Sequence, residues 1–266
     1  MDSEVLEECF QLALKLAKEA GEIILEGMSN RKKQFSLKDN VFHDLVTEYD
    51  TKVEKLLMDG IREKFPDHKF LSEEDNAATK VKPSLTPNCP TWIIDPIDGT
   101  NNFIHGIPYA CVSIALVFNS EILLGIVNNP KTNELFTAKK NCGAYLNGEK
   151  IHTSSADALN KSLIANELSL AALNVNTKEL MGRAERFGTA AIGLRSFGTA
   201  ALTLSYIACG KLDGYVIDNL YPWDIAAGAL LVREAGGTVI GINGLEYDIL
   251  KPDVIAASTE DFIIIV

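Results

Sequence analysis

Cysteine and histidine are both scarce in this 266-residue chain: five Cys and four His, none paired at metal-binding spacing. Cys9, Cys89, Cys111, Cys142 and Cys209 form an odd, scattered set. Such a set argues against a disulfide framework or zinc module and fits free thiols in a reducing cytosol. His43, His68, His105 and His152 are equally isolated and read as surface or supporting residues. No run approaches the roughly 20 apolar residues of a membrane span. The acidic start, Met1 to Glu8, lacks the basic and apolar regions of a secretory signal. Basic residues are also outnumbered, 25 Lys and Arg against 36 Asp and Glu, for a formal net charge of −11. Nucleic acid and anionic membrane surfaces are therefore repelled as partners, and a phosphorylated ligand must be met locally by bound cations.

What remains is the composition of a cytoplasmic globular protein, 47% apolar and 23% charged, long enough for one large domain or two modest ones. Cys9, Leu12, Leu16, Ala20, Ile23 and Ile24 recur at helical spacing and predict a first helix ending near Gly27. A second is expected from about Thr47 to Lys64, closed by Pro66. A polar loop should then link a short strand near residues 69–71 to the strand Thr91–Asp95. Residues 110–118, 122–128 and 134–138 read as successive antiparallel strands, and Asn147-Gly148 as a two-residue hairpin turn. From about residue 153 strands and helices alternate instead. The expectation is a fold of the α+β class in two halves, 1–152 carrying most of the chemistry and 153–266 completing it.

The chemistry concentrates in Ile93-Ile94-Asp95-Pro96-Ile97-Asp98-Gly99-Thr100-Asn101-Asn102-Phe103. Two aspartates three positions apart follow an apolar strand, with proline between them and a Gly-Thr turn behind. A hard cation such as Mg²⁺ takes carboxylate, carbonyl and water oxygens, and Asp95 and Asp98 offer the first kind. An Asp-Pro pair alone is usually only a surface turn. Here Trp92-Ile93-Ile94 is too apolar for a solvated loop, and further acids lie elsewhere in the chain. Enzymes that use an aspartyl nucleophile in Asp-x-Asp-Gly-Thr need an acid two residues before Asp98, where this chain has Pro96. A metal-activated water is then the expected attacking group. Asp224, in Tyr221-Pro222-Trp223-Asp224-Ile225-Ala226-Ala227-Gly228, stands where a helix begins, as do Asp44 and Asp50 before the second helix. Capping or a favourable helix dipole explains such acids without any chemistry. The Pro-Trp-Asp sequence and the small Ala-Ala-Gly face ask for more than a cap.

Taken together, these segments resemble the inositol monophosphatase family. Asp95 to Thr100 is similar to its first signature, and Trp223 to Gly228 with Glu234-Ala235-Gly236-Gly237 to its second. Leu71-Ser72-Glu73-Glu74, Asp44-Leu45-Val46-Thr47 with Asp50, and Gly193 to Ala201 follow the pattern too, so the likeness runs from about residue 5 to 258. The resemblance implies a layered αβαβα sandwich of the inositol monophosphatase and fructose-1,6-bisphosphatase type, usually a homodimer. It implies hydrolysis of inositol monophosphates with two to three Mg²⁺ ions and inhibition by Li⁺. Glu73, Asp95 and the carbonyl of Ile97 would hold the first ion, and Asp95, Asp98 and Asp224 the second, with a weaker third near Glu73. Thr100 and Asp50 would orient and deprotonate water. Asp98, Gly99, Thr100, Asn101, Gly198, Thr199, Ala200, Asp218 and Asp224 would line the substrate.

One position departs from the pattern. Many relatives carry a sugar-binding glutamate seven residues before the Trp-Asp aspartate, where this chain has Ile217. Asp218 or Asn219 could take that role, or Ile217 could be an ordinary core residue of a strand. The alternative substrates are then other small phosphate esters: adenosine 3′,5′-bisphosphate, fructose 1,6-bisphosphate, histidinol phosphate or a sugar 1-phosphate. A binding protein that hydrolyses nothing is the remaining alternative, weakened by the retention of Glu73, Asp95, Asp98, Thr100 and Asp224.

Overall fold

The computed structural model describes residues 1–30, 35–37, 45–173 and 176–263, so Asp44 and His43 lie outside the described residues. In chain order the elements begin with α1 (Ser3–Ser29), β1 (Phe35–Leu37), β2 (Leu45–Thr47), α2 (Glu48–Lys64), β3 (Lys69–Ser72) and α3 (Glu73–Thr79). There follow β4 (Thr91–Asp98), α4 (Thr100–His105), β5 (Cys111–Phe118), β6 (Glu121–Asn129), β7 (Glu134–Lys139), β8 (Gly143–Leu146) and β9 (Glu149–Ile151). The remainder is β10 (Leu163–Ala165), α5 (Thr177–Ala190), β11 (Gly193–Arg195), α6 (Ala200–Ala208), β12 (Gly214–Ile217), α7 (Pro222–Glu234), β13 (Thr238–Gly241), β14 (Val254–Ala257) and α8 (Glu260–Ile263). Among the described helices none is long and apolar enough to cross a membrane.

Five layers result. The apolar stripe of α1 (Cys9, Ala13, Leu16, Ala20, Ile24) and that of α2 (Val53, Leu57, Ile61) cover one face of a seven-stranded sheet ordered β3-β4-β5-β6-β7-β8-β9. The other face of that sheet packs on α6 and α7, which in turn lie on a five-stranded sheet ordered β11-β10-β12-β14-β13. Phe187 of α5 and Phe262 of α8 close the far side with Ile164 and Val216. Both sheets are buried on both faces, which is why strands such as β4 are apolar at nearly every position rather than alternating. The sequence reading of a layered α+β sandwich agrees with this architecture.

Two local differences from the sequence reading bear on the site. The acidic stretch after β3 is a short helix, α3, rather than part of a loop: the carboxylate of Glu54, on α2, accepts the N–H groups of Glu74 and Asp75, both at 3.0 Å. Strand β4 also continues past Pro96. It pairs Asp95 with Ser113 and Asp98 with Cys111, with an irregularity between them where the proline has no N–H to give. The hairpin between β8 and β9 turns at Asn147 and Gly148, both with positive φ, as the Asn-Gly pair predicts.

Candidate metal centre and hydrolytic site

The irregularity in β4 is what lets two aspartates of one strand serve one site. Residues three apart on a regular strand face opposite sides; the shift between Asp95 and Asp98 brings both carboxylates together. The third arrives on α7, which packs between the sheets. Its Gly228 sits so close to α6 that an added Cβ would meet the Leu204 Cβ at 2.6 Å, so the small face read from the sequence is a requirement of packing. Pro222 starts α7 in the first-turn position that needs no N–H. The carboxylate of Asp224 reaches back to accept the Tyr221 N–H at 2.6 Å through Oδ2. Asp224 therefore caps its helix and also joins the cluster. Oxygens of Asp95, Asp98 and Asp224 all lie within 4.8 Å of one another.

Three acids this close cannot all ionise at ordinary acidity. Asp95 is 2% exposed, and burial first, then the charges of Glu73, Asp98 and Asp224, hold its carboxyl well above the usual range. Asp224 is held well above its range by burial and by Asp98. Asp98 is pushed up to about 6 by burial, against hydrogen bonds that favour its charged form. Those bonds come from Thr199 Oγ1 (2.5 Å) and the Ala201 N–H (2.7 Å), both to Oδ2. Asp95 Oδ1 is buried with no hydrogen-bond partner. A cation is the group that would satisfy the orphaned oxygen and offset the repulsion, and an all-carboxylate donor set suits a hard one.

Glu73 opens α3 beside this cluster and hydrogen-bonds to Asp95, so β3, which runs parallel to β4, delivers a fourth acid to the same edge. Asp50 and Thr100 form a second pair, next to the Ile97 carbonyl. Asp50 is fully buried; its Oδ2 accepts from the Thr47 N–H (2.9 Å) and Oγ1 (2.5 Å), a capping box that begins α2. Its Oδ1 faces Thr100 Oγ1 at 3.4 Å, and that hydroxyl also lies 3.0 Å from the Ile97 carbonyl. Asp50, like Asp224, caps its own helix and also belongs to the site. Gly99, with φ of 89°, makes the turn from β4 into α4 where a Cβ would meet the Tyr109 carbonyl at 2.7 Å.

The residues expected along the substrate separate into groups. Thr199 and Ala200 begin α6 against Asp98, whereas the Gly198 N–H is occupied by Glu167 at 2.7 Å. Asn101 is exposed on α4. Ile217 is 1% exposed in the core between the sheets. Asp218 is in an ion pair with Arg183 at 3.1 Å, both side chains under 10% exposed, and its other oxygen accepts from the Asn219 side chain at 3.0 Å. Glu234 of the second signature accepts the N–H groups of Asn141 (2.7 Å) and Gly143 (2.8 Å), tying α7 to the β7–β8 turn. Sequence reasoning missed Glu54 and Glu167. Glu54 had a signal, an acid on the apolar face shared by Leu57, Met58 and Ile61; Glu167, after a strand, had none.

Comparison with known proteins points to one family and to the same fold. The profile of the inositol monophosphatase family matches residues 5–264. Inositol monophosphatase 2 of Solanum lycopersicum is 43% identical over 254 residues, covering 95% of this chain and 94% of that protein. Inositol monophosphatase 1 of Bos taurus is 39% identical over 255 residues, 96% of this chain and 91% of that one. Among solved structures, the Thermotoga maritima IMPase superposes with a TM-score of 0.82 at 31% identity over 94% of this chain and 92% of its own. With its layered fold, its carboxylate cluster and a match over nearly its whole length, this chain belongs to the inositol monophosphatase family.

Proposed function

We propose that this chain hydrolyses inositol monophosphates to inositol and phosphate, with Mg²⁺ held by Glu73, Asp95, the Ile97 carbonyl, Asp98 and Asp224. The observation that carries the reading is the convergence of Asp95, Asp98 and Asp224 within 4.8 Å beside the Asp50–Thr100 pair. When bound, Mg²⁺ supplies positive charge for the phosphate dianion and the departing alkoxide and acidifies water. The chain's own residues do the rest. Thr100 Oγ1 accepts a hydrogen from the attacking water and passes its own toward Asp50 Oδ1. Asp50 Oδ2 is already engaged twice by Thr47, which leaves Oδ1 facing Thr100 as the acceptor. The N–H groups of Gly99 and Thr100, at the start of α4, hold phosphate oxygens. Thr199 and Ala201 fix the rotamer of Asp98, leaving Oδ1 for the cation. Cytoplasmic location, a homodimer and Li⁺ inhibition belong to the same reading, supported by family membership.

A second reading keeps the mechanism and changes the ester. It is favoured by Ile217, sealed in the core, and by Asp218, whose two oxygens are engaged by Arg183 and Asn219. The test is phosphate release from inositol 1-phosphate with Mg²⁺, with and without Li⁺, beside adenosine 3′,5′-bisphosphate, fructose 1,6-bisphosphate, histidinol phosphate and a sugar 1-phosphate. Turnover that needs Mg²⁺ and prefers inositol 1-phosphate supports the first reading; preference for another ester supports the second. Turnover unaffected by chelation would overturn both.

A further inference from the structure

Glu167 is a buried acid with no assigned part in the chemistry. It stands just beyond β10, 7% exposed, and its donors are hydroxyls and amides. Oε1 accepts from Ser196 Oγ (2.7 Å), Ser169 Oγ (2.7 Å) and the Ser169 N–H (3.3 Å); Oε2 accepts the Gly198 N–H at 2.7 Å. Removing a carboxylate from water is costly, and charge-assisted bonds of this kind are what offset it. What they hold is the three-residue approach to α6. From the opposite side, and from the other half of the molecule, Asn102 Nδ2 on α4 donates to the Phe197 carbonyl at 2.6 Å and the Tyr109 carbonyl at 2.8 Å. Ser196, Phe197 and Gly198 are thus gripped from both flanks, one grip on each sheet-bearing half.

The next residue is Thr199, whose hydroxyl, with the Ala201 N–H, binds Asp98 Oδ2. We infer that Glu167, seconded by Asn102, is a positioning residue: it sets the N-terminus of α6 so that Thr199 and Ala201 aim Asp98 into the metal site. This rests on the metal role proposed for Asp98. The chain of contacts is short, Glu167 to Gly198, then Thr199 and Ala201, then Asp98, and every link is a hydrogen bond under 3 Å or the backbone itself. Outer partners of metal ligands commonly control affinity because they fix ligand orientation.

Glu167→Gln tests it, since the amide is isosteric yet presents an N–H where an acceptor is needed. Calorimetric Mg²⁺ titration, the melting temperature in chelator, and kcat and KM for inositol 1-phosphate are measured for the wild type, Glu167→Gln, Thr199→Val and the double variant. Glu167→Gln is expected to weaken Mg²⁺ binding about tenfold. Its KM should stay within about twofold, and its lost turnover should return at saturating Mg²⁺. Because Glu167 acts on Asp98 through Thr199 and its neighbour Ala201, the double variant should lose less Mg²⁺ affinity than the product of the two single losses. Unchanged Mg²⁺ affinity with a lower melting temperature would make Glu167 a loop anchor only and overturn the inference, as would losses that multiply independently. If Glu167→Gln fails to fold, Asn102→Ala, which releases the loop from its other flank, must show the same weakened Mg²⁺ binding and the same non-additivity with Thr199→Val; independent effects there overturn the inference equally. A wild type that binds no Mg²⁺ would instead remove the functional reading itself.

Discussion

Replacing Asp98 by Asn should make the metal-free protein more stable and the metal-loaded one less so. Without a cation, Asp98 holds its proton more tightly in the folded chain than in the unfolded one, with a pKa of about 6 against an ordinary 3.8. Between about pH 4 and 6 the folded state therefore carries more protons, and stability falls as pH rises through that window. Each tenfold change in the proton equilibrium is worth about 1.4 kcal/mol, so ionising Asp98 at neutral pH costs about 3 kcal/mol. Asparagine avoids that cost. Its oxygen still accepts from Thr199 Oγ1 and the Ala201 N–H, and its NH₂ faces the acids of Asp95 and Asp224 as a donor. At about 2 °C per kcal/mol for a chain of this size, the chelated variant should melt roughly 6 °C above the chelated wild type at pH 7.5. In Mg²⁺ at about a thousandfold its dissociation constant the wild type gains about 4.1 kcal/mol. The variant, short of a ligand, gains little, so the order reverses. Differential scanning calorimetry across pH 4.5–7.5, with chelator and with Mg²⁺, reads both effects. A chelated wild type whose stability rises over that range, or a chelated variant no more stable than the wild type at pH 7.5, would refute the reasoning.

Three further outcomes are expected. Asp50→Asn keeps an acceptor for Thr47 but removes the proton acceptor facing Thr100, so kcat should fall about 10²–10⁴-fold with Mg²⁺ affinity unchanged in calorimetric titration. Glu54→Gln leaves one of the Glu74 and Asp75 N–H groups facing an NH₂, at a cost of about 1–3 kcal/mol in urea unfolding. Faster amide exchange in α3 and weaker Mg²⁺ binding should accompany it, since Glu73 opens that helix. Arg183→Met strands Asp218 in the interior and should cost about 3–5 kcal/mol by the same unfolding assay, most of it recovered by Arg183→Met with Asp218→Asn.

The sequence by itself determined the longer elements and the identity of the acids. Apolar spacing located α1, α2 and the meander from β5 to β9, because burial of a stripe or a face imposes a period that any single segment displays. Asp95, Asp98 and Asp224 were legible because the residue types around them, proline beside a strand and small residues on a helix, are local demands, whereas Glu73 was singled out only by the family resemblance. The tertiary structure alone decided what those acids do together. Asp50 and Asp224 look like helix-start acids in sequence and are so, yet each also faces the site, which depends on what packs opposite. Glu167 and Asn102 meet the same loop from residues far apart in sequence, and no local period records such a meeting. Asp218, free to take a substrate role in sequence, is instead bound to Arg183 35 residues earlier. Hydrogen-bond partners contributed by other segments are invisible to local pattern, and in this protein they are what turn a set of acids into a directed site.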